Sequence, residues 1–244
     1  MALIGRLIQT PDRDGPGNMA IDEVLWDQAA EGMPYLRVYG WHPRPTISIG
    51  YFQSQSLFQS QQQWRSVPVV RRVTGGGAIV HDDDLTYCLA LPARLSLRAG
   101  PLYERVHEAI ARELGRTGIP ATMGSPYPAD GQADSLCFRR GDAYAVHLFD
   151  HKILGSAQRR RCQSVLMHGS FLLARSALAP DIPGIAELVG RKVDRLLVER
   201  ATIVAIAAAL DVQFEADELS AEARSCVERL AVAKYGSPLW NARR

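Results

Sequence analysis

The middle of the chain carries short runs in which hydrophobic and polar residues alternate, or in which β-branched and aromatic residues dominate. Alternation with a period of two puts every second side chain on the same face, as in a β-strand. Turn residues such as His42-Pro43-Arg44 separate neighbouring runs closely enough for hairpins. The pattern predicts strands over residues 35–41, 45–51, 67–73, 78–81, 84–92, 143–149, 152–158 and 165–174.

Helical periodicity is clearest between residues 102 and 118. Leu102, Val106, Ile110 and Leu114 recur at intervals of four and therefore share one face. A stretch over 119–134, rich in Pro, Gly, Ser and Asp, predicts a long loop, and such loops are often functional. With Asn18 as the N-cap of the first helix, the sequence predicts helices over residues 19–31, 54–65, 102–118, 193–210 and 216–234.

The order of these elements indicates the fold class. Predicted strands dominate the middle of the chain and predicted helices its two ends, and no internal repeat is present. This order favours an α+β domain with a largely antiparallel or mixed sheet flanked by helices over a regular βαβ alternation. A chain of 244 residues is long enough to bury a large core.

Composition and charge narrow the function classes. The chain is 47% hydrophobic and 22% charged with a net charge of +2, which gives no general attraction to nucleic acid or membrane. It has no apolar run of about 18 residues and no export signal, so we expect a cytoplasmic protein without a membrane or nucleic-acid partner. The four cysteines form no CxxC pair, so no metal site is expected and the thiols are expected to be reduced.

Three consecutive glycines, Gly75 to Gly77, raise the question of a phosphate-binding loop. The sequence RRVTGGGAIVH lacks the lysine and hydroxyl residue of a P-loop. It also lacks the third glycine of a dinucleotide fingerprint, and AIVH predicts a strand where that fingerprint needs a helix. The glycines therefore lie in a strand–turn–strand setting, where they form a bulged turn or allow close approach of a ligand or another backbone.

Several blocks, in a fixed order, resemble the superfamily of lipoate–protein ligases, octanoyltransferases and biotin ligases. The blocks are PTISIGYFQ (45–53), RRVTGGGAIVHDDDLTYCLALP (71–92), KILGSAQRRRCQSVLMHGSFLL (152–173) and KYGSPLWN (234–241). The resemblance implies the α+β fold shared with class II aminoacyl-tRNA synthetases. It also implies an enzyme that joins an acyl chain to a lysine of an acceptor protein. Residues 1–244 would form a single catalytic domain without the C-terminal accessory domain that many ligases carry.

The segment that contains Cys137 distinguishes between subfamilies. LCFRRGDAYAVHLFDHKILGSAQ resembles the cysteine-dependent octanoyltransferases of Gram-positive type, in which Cys-Phe is followed fifteen residues later by a lysine. Cys137 and Lys152 match that spacing, and Lys152 is one of only three lysines in the chain. Lipoate ligases usually have a small residue other than cysteine at this position. The sequence departs from the family at Arg139-Arg140-Gly141-Asp142, where small or acidic residues and Pro-Ser are common.

This resemblance implies transfer of octanoyl from acyl carrier protein, through a thioester on Cys137, to a lysine of a lipoyl domain. Such a domain is found in the glycine cleavage H protein and in the E2 subunit of 2-oxoacid dehydrogenases. Exchange between thioesters is nearly neutral in energy, so no cofactor is expected. The reactive group is the thiolate, and the ammonium of Lys152 would favour it over the thiol.

The resemblance also implies further site residues. The resemblance places the acyl pocket at Arg72, Gly75, Gly76, Gly77, Ala78 and His81, with Gly155, Ser156 and Ala157 as the opposite wall. Backbone N–H groups there would stabilise the oxyanion. His81 and His168 are candidates for proton transfer, although an isolated strand histidine is as often structural. The aspartates 82–84 predict a solvated turn, with Asp84 as a cap of the next strand.

Competing residues and surfaces are also identified. Cys88 and Cys226 fit buried or packed positions, whereas Cys162 follows Arg159–Arg161 and is the serious rival nucleophile. The pair Arg139-Arg140 and the run Arg159–Arg161 are candidates for a basic rim that attracts acidic partners, or for ordinary surface arginines.

Three alternative functions remain open. The first is transfer of octanoyl from one lipoyl domain to another by the same chemistry. The second is the catalytic subunit of a lipoate–protein ligase, which would require ATP and Mg²⁺. The third, from a different class, is a non-catalytic binder of acyl domains.

Overall fold

The computed structural model describes residues 3–42, 45–95, 98–124 and 135–243. The predicted turn at Pro43-Arg44 and most of the predicted loop over 119–134 lie outside the described residues. The strands are β1 (Leu3–Ile8), β2 (Tyr35–Tyr39), β3 (Thr46–Ile49), β4 (Val69–Arg71), β5 (Ile79–His81), β6 (Asp84–Pro92), β7 (Ala121–Met123), β8 (Val146–Leu148), β9 (His151–Arg160), β10 (Ser164–Leu172) and β11 (Val212–Asp217). The α-helices are α1 (Gly15–Ala29), α2 (Ser56–Gln59), α3 (Ala99–Arg116), α4 (Ile185–Val189), α5 (Arg195–Leu210), α6 (Ala221–Leu230) and α7 (Pro238–Asn241).

The described strands form two sheets. The larger sheet has eight strands in the order β11-β1-β2-β6-β10-β9-β8-β7, and the smaller has three in the order β4-β3-β5. In the larger sheet β1 pairs in parallel with both β11 and β2, and the remaining pairs are antiparallel. This mixed, largely antiparallel sheet with flanking helices confirms the predicted α+β class.

The two faces of the large sheet are covered by different helices. Along β6, Leu85, Tyr87, Leu89 and Leu91 join the core that contains α3 and α5. Cys88 and Ala90 point to the opposite face and join the core that contains α1 and α6. Because β6 is buried on both faces, its sequence is a nearly continuous apolar run, and its predicted bounds of 84–92 are confirmed.

The predicted helix over 102–118 is also confirmed, with α3 beginning three residues earlier at Ala99. The four apolar residues that define its face are all buried: Leu102, Val106, Ile110 and Leu114. Helix α5 confirms the prediction over 193–210.

Other predicted bounds are wrong. Helix α1 begins at Gly15 and is capped by Asp14, not Asn18, because the Asp14 side chain accepts a hydrogen bond from the Gly17 N–H. The helix predicted over 54–65 is limited to α2 and a 3₁₀ turn at Gln62–Trp64. The region 216–234 starts as the end of β11 and continues as α6 and a π-helical turn at Ala231–Tyr235.

Helices do dominate the two ends of the chain, but two strands near these ends were not predicted. Strands β1 and β11 lie near the two ends of the chain and pair in parallel along six residues each. The paired residues of β1 and β11 are more than 200 positions apart in the sequence, so no local pattern could predict the pairing. Among the described residues, no helix has both the length and the apolar character that a bilayer span requires.

Candidate active site

A loop over residues 74–78, the glycine loop, connects β4 to β5 at the junction between the two sheets. Gly76 adopts φ = 88°, a left-handed conformation that favours glycine. Arg72, just before this loop, is buried and donates from Nη2 to the carbonyl oxygens of Gly75 and Gly77 at 3.0 and 2.9 Å. The Arg72 side chain therefore fixes the shape of the loop by binding the backbone carbonyls of Gly75 and Gly77.

Cys137 lies directly against the glycine loop. Its backbone N–H donates to the Ala78 carbonyl at 2.8 Å, and the Ala78 N–H donates to the Ser135 carbonyl at 2.8 Å. A Cβ atom on Gly77 would lie 2.8 Å from the Cys137 nitrogen. Only glycine at position 77 therefore leaves room for the Cys137 backbone in this position.

Lys152 on β9 is the cation beside Cys137. Its Nζ lies 3.7 Å from the Cys137 Sγ and 3.4 Å from Oδ2 of Asp142, and its side chain is 4% exposed. A Cβ on Gly155 would lie 2.8 Å from the Lys152 Cε and 3.2 Å from the Cys137 Sγ. The absence of a side chain at Gly155 thus creates the space in which thiol and ammonium meet.

A partly open cavity extends from Cys137 between the two sheets, and its space, including the part open to solvent, is about 390 Å³. Helix α1, the small sheet, the glycine loop and the strands β6, β9 and β10 contribute to its wall. The lining residues are Met19, Tyr39, Trp41, Ser48, Arg72, Gly76, Ile79, His81, Thr86, Cys137, Gly155, Ser156, Ala157, His168, Gly169 and Ser170. The structure thus brings most of the sequence-predicted site residues to one cavity. The exceptions are Gly75, Gly77 and Ala78, which do not line it, and Lys152, whose Nζ contacts Cys137.

His81 forms one hydroxyl–imidazole–carboxylate chain in this wall. Its Nδ1 lies 2.7 Å from Oδ2 of Asp84, and its Nε2 lies 2.7 Å from Oγ of Ser48. A carboxylate can only accept, so Nδ1 carries the proton and Nε2 accepts from Ser48. Ser48 Oγ also accepts from Nη1 of Arg72 at 2.7 Å. Two buried opposite charges, Arg72 and Asp84, are therefore linked through two neutral groups.

His168 forms a second chain of the same kind. Its Nδ1 lies 3.2 Å from Oδ2 of Asp22, and its Nε2 lies 2.5 Å from Oγ1 of Thr74, the first residue of the glycine loop. Asp22 is also bound by Nη1 of Arg37 at 3.2 Å and by the Tyr39 hydroxyl at 2.8 Å. His81, in the strand after the glycine loop, is thus hydrogen-bonded to buried Asp84. His168 links Thr74, at the start of the loop, to buried Asp22.

Burial determines the charges of these groups. Desolvation lowers the pKa of His81 and His168 below the ordinary imidazole value, although Asp84 and Asp22 act in the opposite direction. Both imidazoles are therefore neutral near pH 7. Desolvation also lowers the pKa of Arg72 to about 10, while the negative charge of a Cys137 thiolate would raise it. Arg72 stays charged at neutral pH and acts electrostatically on Cys137.

The predicted wall residue Ser156 turns its hydroxyl away from the cavity. Its Oγ lies 2.7 Å from the Tyr87 hydroxyl and 2.7 Å from Nε2 of His107, whose Nδ1 donates to the Tyr144 carbonyl. His107 belongs to α3, on the far face of the sheet. Its pKa falls to about 4 because of burial. The neutral His107 imidazole and the Tyr87 hydroxyl thus hold Ser156 of β9 from the face of the sheet opposite the cavity.

The structure also places the residues that compete with Cys137. Cys88 is buried in the sheet, and Cys226 is half-buried, as expected. Cys162 is exposed in the β9–β10 hairpin and does not line the cavity. Arg161 pairs with Glu23 and Asp27 instead of Cys162. Arg139 pairs with Asp181 at 2.8 Å.

The solvated turn predicted for the aspartates is wrong at Asp84. Asp82 and Asp83 are at least partly exposed, but Asp84 is 3% exposed. In addition to His81, it accepts from Oγ of Ser170 at 2.7 Å and Oγ1 of Thr86 at 3.1 Å. A carboxylate with this many donors can remain buried.

The comparison with known families decides the identity of this fold and site. Residues 14–216 match the lipoyl protein ligase A/B catalytic domain family. The chain belongs to this family.

Several relatives of this lipoyl protein ligase A/B family member are named octanoyltransferases. It is 32% identical to octanoyltransferase LipM of Symbiobacterium thermophilum, and the alignment covers 98% of each chain. It is 31% identical to octanoyltransferase LipM of Kyrpidia tusciae, again with 98% of each chain covered. These relatives support an octanoyltransferase activity and make the chain an acyltransferase enzyme of the Gram-positive type identified from its motifs.

The fold of this family member matches that of lipoate ligases. A structure described as a lipoate protein ligase from T. acidophilum superposes with a TM-score of 0.81 at 22% identity, covering 98% of this chain and 99% of that one. At this identity the likeness concerns the fold alone.

Sequence reasoning missed several polar residues of the site in this acyltransferase. Ser48, Thr74, Asp22 and Asp142 each contact a predicted residue directly. Asp142 belongs to the segment that departs from the family pattern, and its position ten residues before Lys152 was the one available signal. Asp22 lies 146 residues from its partner His168, and no sequence signal connects the two.

Proposed function

We propose that this enzyme transfers octanoyl from acyl carrier protein to a lysine of a lipoyl domain through a thioester on Cys137. One observation carries the proposal: a thiol and a buried ammonium, Cys137 Sγ and Lys152 Nζ, lie 3.7 Å apart at the edge of a cavity. The octanoyltransferase relatives support the acyl group. The identities of the acyl donor, the covalent intermediate and the acceptor are the parts that we propose beyond this.

In the first half-reaction the Cys137 thiolate attacks the carbonyl carbon of the octanoyl thioester. The carbon–sulfur bond to the carrier breaks, and the carrier thiolate leaves. Lys152 and Arg72 both favour the thiolate because a nearby positive charge stabilises an anion. The acyl chain occupies the cavity, where the glycine loop and Gly155 leave space for it.

In the second half-reaction the neutral amine of the acceptor lysine attacks the thioester carbon on Cys137. An amide bond forms, the carbon–sulfur bond breaks, and the amine loses one proton to solvent or to a nearby base. The first step conserves the activation of the thioester, and the second step spends it on the amide bond, so the proposed reaction uses no ATP. The acceptor is a lipoyl domain, such as the H protein or an E2 subunit, since family members modify such domains.

The test is octanoyl transfer to a purified lipoyl domain from octanoyl-acyl carrier protein, in the absence of ATP. Cys137→Ser should lower the rate by about 10³-fold or more, because the nucleophile is lost. Lys152→Met should lower it by about 10²-fold, because the thiolate loses its cation. Cys162→Ser is the matched control and should transfer at the wild-type rate.

Intact-protein mass spectrometry identifies the intermediate. An octanoyl adduct should form on the wild type and on Cys162→Ser, and it should be absent from Cys137→Ser. An adduct that survives Cys137→Ser would contradict the proposed nucleophile. Transfer only from free octanoate with ATP, or only from an octanoylated lipoyl domain, would contradict the proposed donor. Unchanged biological function of Cys137→Ser would indicate a binding protein.

A further inference from the structure

An open groove of about 790 Å³ lies on the surface beside the glycine loop. We name it the arginine groove after two of its lining residues. Those residues are Tyr51, Phe52, Val73, Gly75, Ala99, Tyr103, Gln158, Arg159 and Arg160. The set combines two cations and three aromatic rings with no acidic side chain, and Phe52 is 83% exposed. Its charge and its exposed ring favour an anionic ligand with an apolar portion.

The groove and the catalytic cavity are neighbours along β9. Gly155, Ala157 and Arg159 alternate along this strand and therefore lie on the same face. Gly155 and Ala157 line the cavity at Cys137, whereas Arg159 lines the groove. Four residues of strand span roughly 13 Å. A row of small side chains thus leads from the candidate nucleophile to an arginine near the surface.

Arg159 is held in place but retains hydrogen-bonding capacity. Its Nη1 donates to the Val73 carbonyl at 2.7 Å, and its guanidinium carbon lies 4.5 Å from the centre of the Tyr51 ring. Within the part of the chain that the structure describes, its Nε and Nη2 donate to no protein group. A planar guanidinium with free donors matches the geometry of a phosphate group.

We propose that the arginine groove binds the pantetheine arm of an acyl carrier protein, with the phosphodiester of the arm at Arg159. This inference rests on the proposed function, in which the donor thioester must reach Cys137. With the thioester sulfur at Cys137, the extended arm follows Gly155 and Ala157 outward and brings its phosphodiester to Arg159. The acceptor carries a lysine, and an arginine-lined groove repels an ammonium, so the groove favours the donor over the acceptor.

Three octanoyl donors separate the contributions of phosphate and protein. They are octanoyl-acyl carrier protein, octanoyl-coenzyme A, and octanoyl-N-acetylcysteamine, which has the thioester but no phosphate. The rate of Cys137 acylation is measured with each donor for wild type and Arg159→Gln. For the first two donors kcat/KM should fall about 10- to 100-fold, the effect of losing a hydrogen bond to a charged group. For octanoyl-N-acetylcysteamine it should not change. Arg200→Gln, an exposed arginine of α5, is the matched control and should behave as wild type with all three.

The outcomes distinguish this inference from the proposed function. Equal losses with all three donors would overturn it, since Arg159 would then act on the glycine loop through Val73. A loss confined to the carrier protein would also overturn it, because the protein surface and not the phosphodiester would be recognised. If Arg159→Gln left the rate with octanoyl-acyl carrier protein unchanged, the groove would not bind the donor. Absence of acylation from every donor in the wild type would instead contradict the proposed function.

Discussion

Gly75 and Gly77 are two residues apart in the glycine loop, yet their surroundings differ. A Cβ atom on Gly77 would lie 2.8 Å from the nitrogen and 2.9 Å from the Cα of Cys137, whereas a Cβ on Gly75 would meet nothing within 4 Å. Neither residue has a positive φ. We predict that Gly77→Ala displaces Cys137 and lowers kcat/KM by about 10²-fold, the cost of misplacing a reacting group by about 1 Å.

Gly75→Ala is the matched control for this prediction, because the added methyl group is the same and the space is open. Octanoyl transfer and the rate of Cys137 alkylation by iodoacetamide would be measured for both variants. Gly77→Ala should be slow in both assays. Gly75→Ala should match the wild type in alkylation, which does not involve the arginine groove that Gly75 lines. Equal alkylation rates of the two variants would show that the contact between Gly77 and Cys137 does not position the nucleophile.

At the residue scale, the motifs predicted which residues gather at the site but not what their atoms do. Arg72 was expected to line the acyl pocket, and it does line the cavity. Its guanidinium, however, donates hydrogen bonds to Ser48 and to backbone carbonyls of the glycine loop. His81 and His168 were candidates for proton transfer, but both Nε2 atoms accept from hydroxyl groups. Such pairings depend on tertiary distances, which one sequence does not contain.

At the scale of the elements, the N-terminus of α1 provides a test that separates a cap from a core polar residue. Asp14 caps the helix through one hydrogen bond to Gly17 N–H. Asn18 is fully buried, donates to the carbonyls of Arg13 and Gly40, and accepts from Nη2 of Arg37 at 2.6 Å. Asp14→Ala should lower the free energy of unfolding by about 1 kcal/mol. Asn18→Ala should lower it by about 3 kcal/mol or more, because it leaves a buried guanidinium N–H and the Gly40 carbonyl without their Asn18 partner, whereas the Arg13 carbonyl still accepts from the His42 N–H.

Urea unfolding at neutral pH compares the two variants directly. The order of the two urea midpoints is the decisive result, since both variants shorten a polar side chain at the N-terminal end of α1. If Asp14→Ala were the more damaging change, Asn18 would be the less important residue and the cap would dominate the stability of this helix end. Asn was expected at this cap because its residue type is common there, and the same type also suits a buried polar network.

The elements differ in how far the sequence predicted them. Strand β6 was predicted with its bounds because it is buried throughout and apolar along its length. Strands β1 and β11 were not predicted. Of their twelve residues, only Gly5, Ile8 and Val212 are buried. Their pairing is supported by ion pairs between Arg6 and the residues Glu215 and Asp217. A partly exposed edge pair leaves little hydrophobic pattern.

At the scale of the whole molecule, the site lies where three layers meet. The large sheet contributes Lys152, Gly155 and His168, the small sheet carries the glycine loop, and α1 closes the cavity with Met19. Polar networks help to join these layers at the cavity: Thr74 reaches Asp22 of α1 through His168. The stability of the molecule is therefore coupled to the protonation of buried imidazoles on both faces of the sheet.

His107 allows this coupling to be measured. Its folded-state pKa of about 4 lies below the unfolded value near 6.5, so the unfolded chain binds the proton first as the pH falls. The neutral imidazole thus supports the fold fully above pH 6.5, and this support is lost as the pH falls toward 4. The loss amounts to roughly 3 kcal/mol.

The measurement is the free energy of unfolding, from urea titrations between pH 7.5 and 4.5, for wild type and His107→Gln. Glutamine offers a donor for the Tyr144 carbonyl and an acceptor for Ser156 but does not titrate. We expect the stability of the wild type to fall more steeply below pH 6.5 than that of His107→Gln, because His81 and His168 titrate in both proteins and cancel in the difference. Parallel curves would mean that His107 takes up its proton equally in the folded and unfolded chains, and that its contacts with Ser156 and Tyr144 do not require the neutral ring.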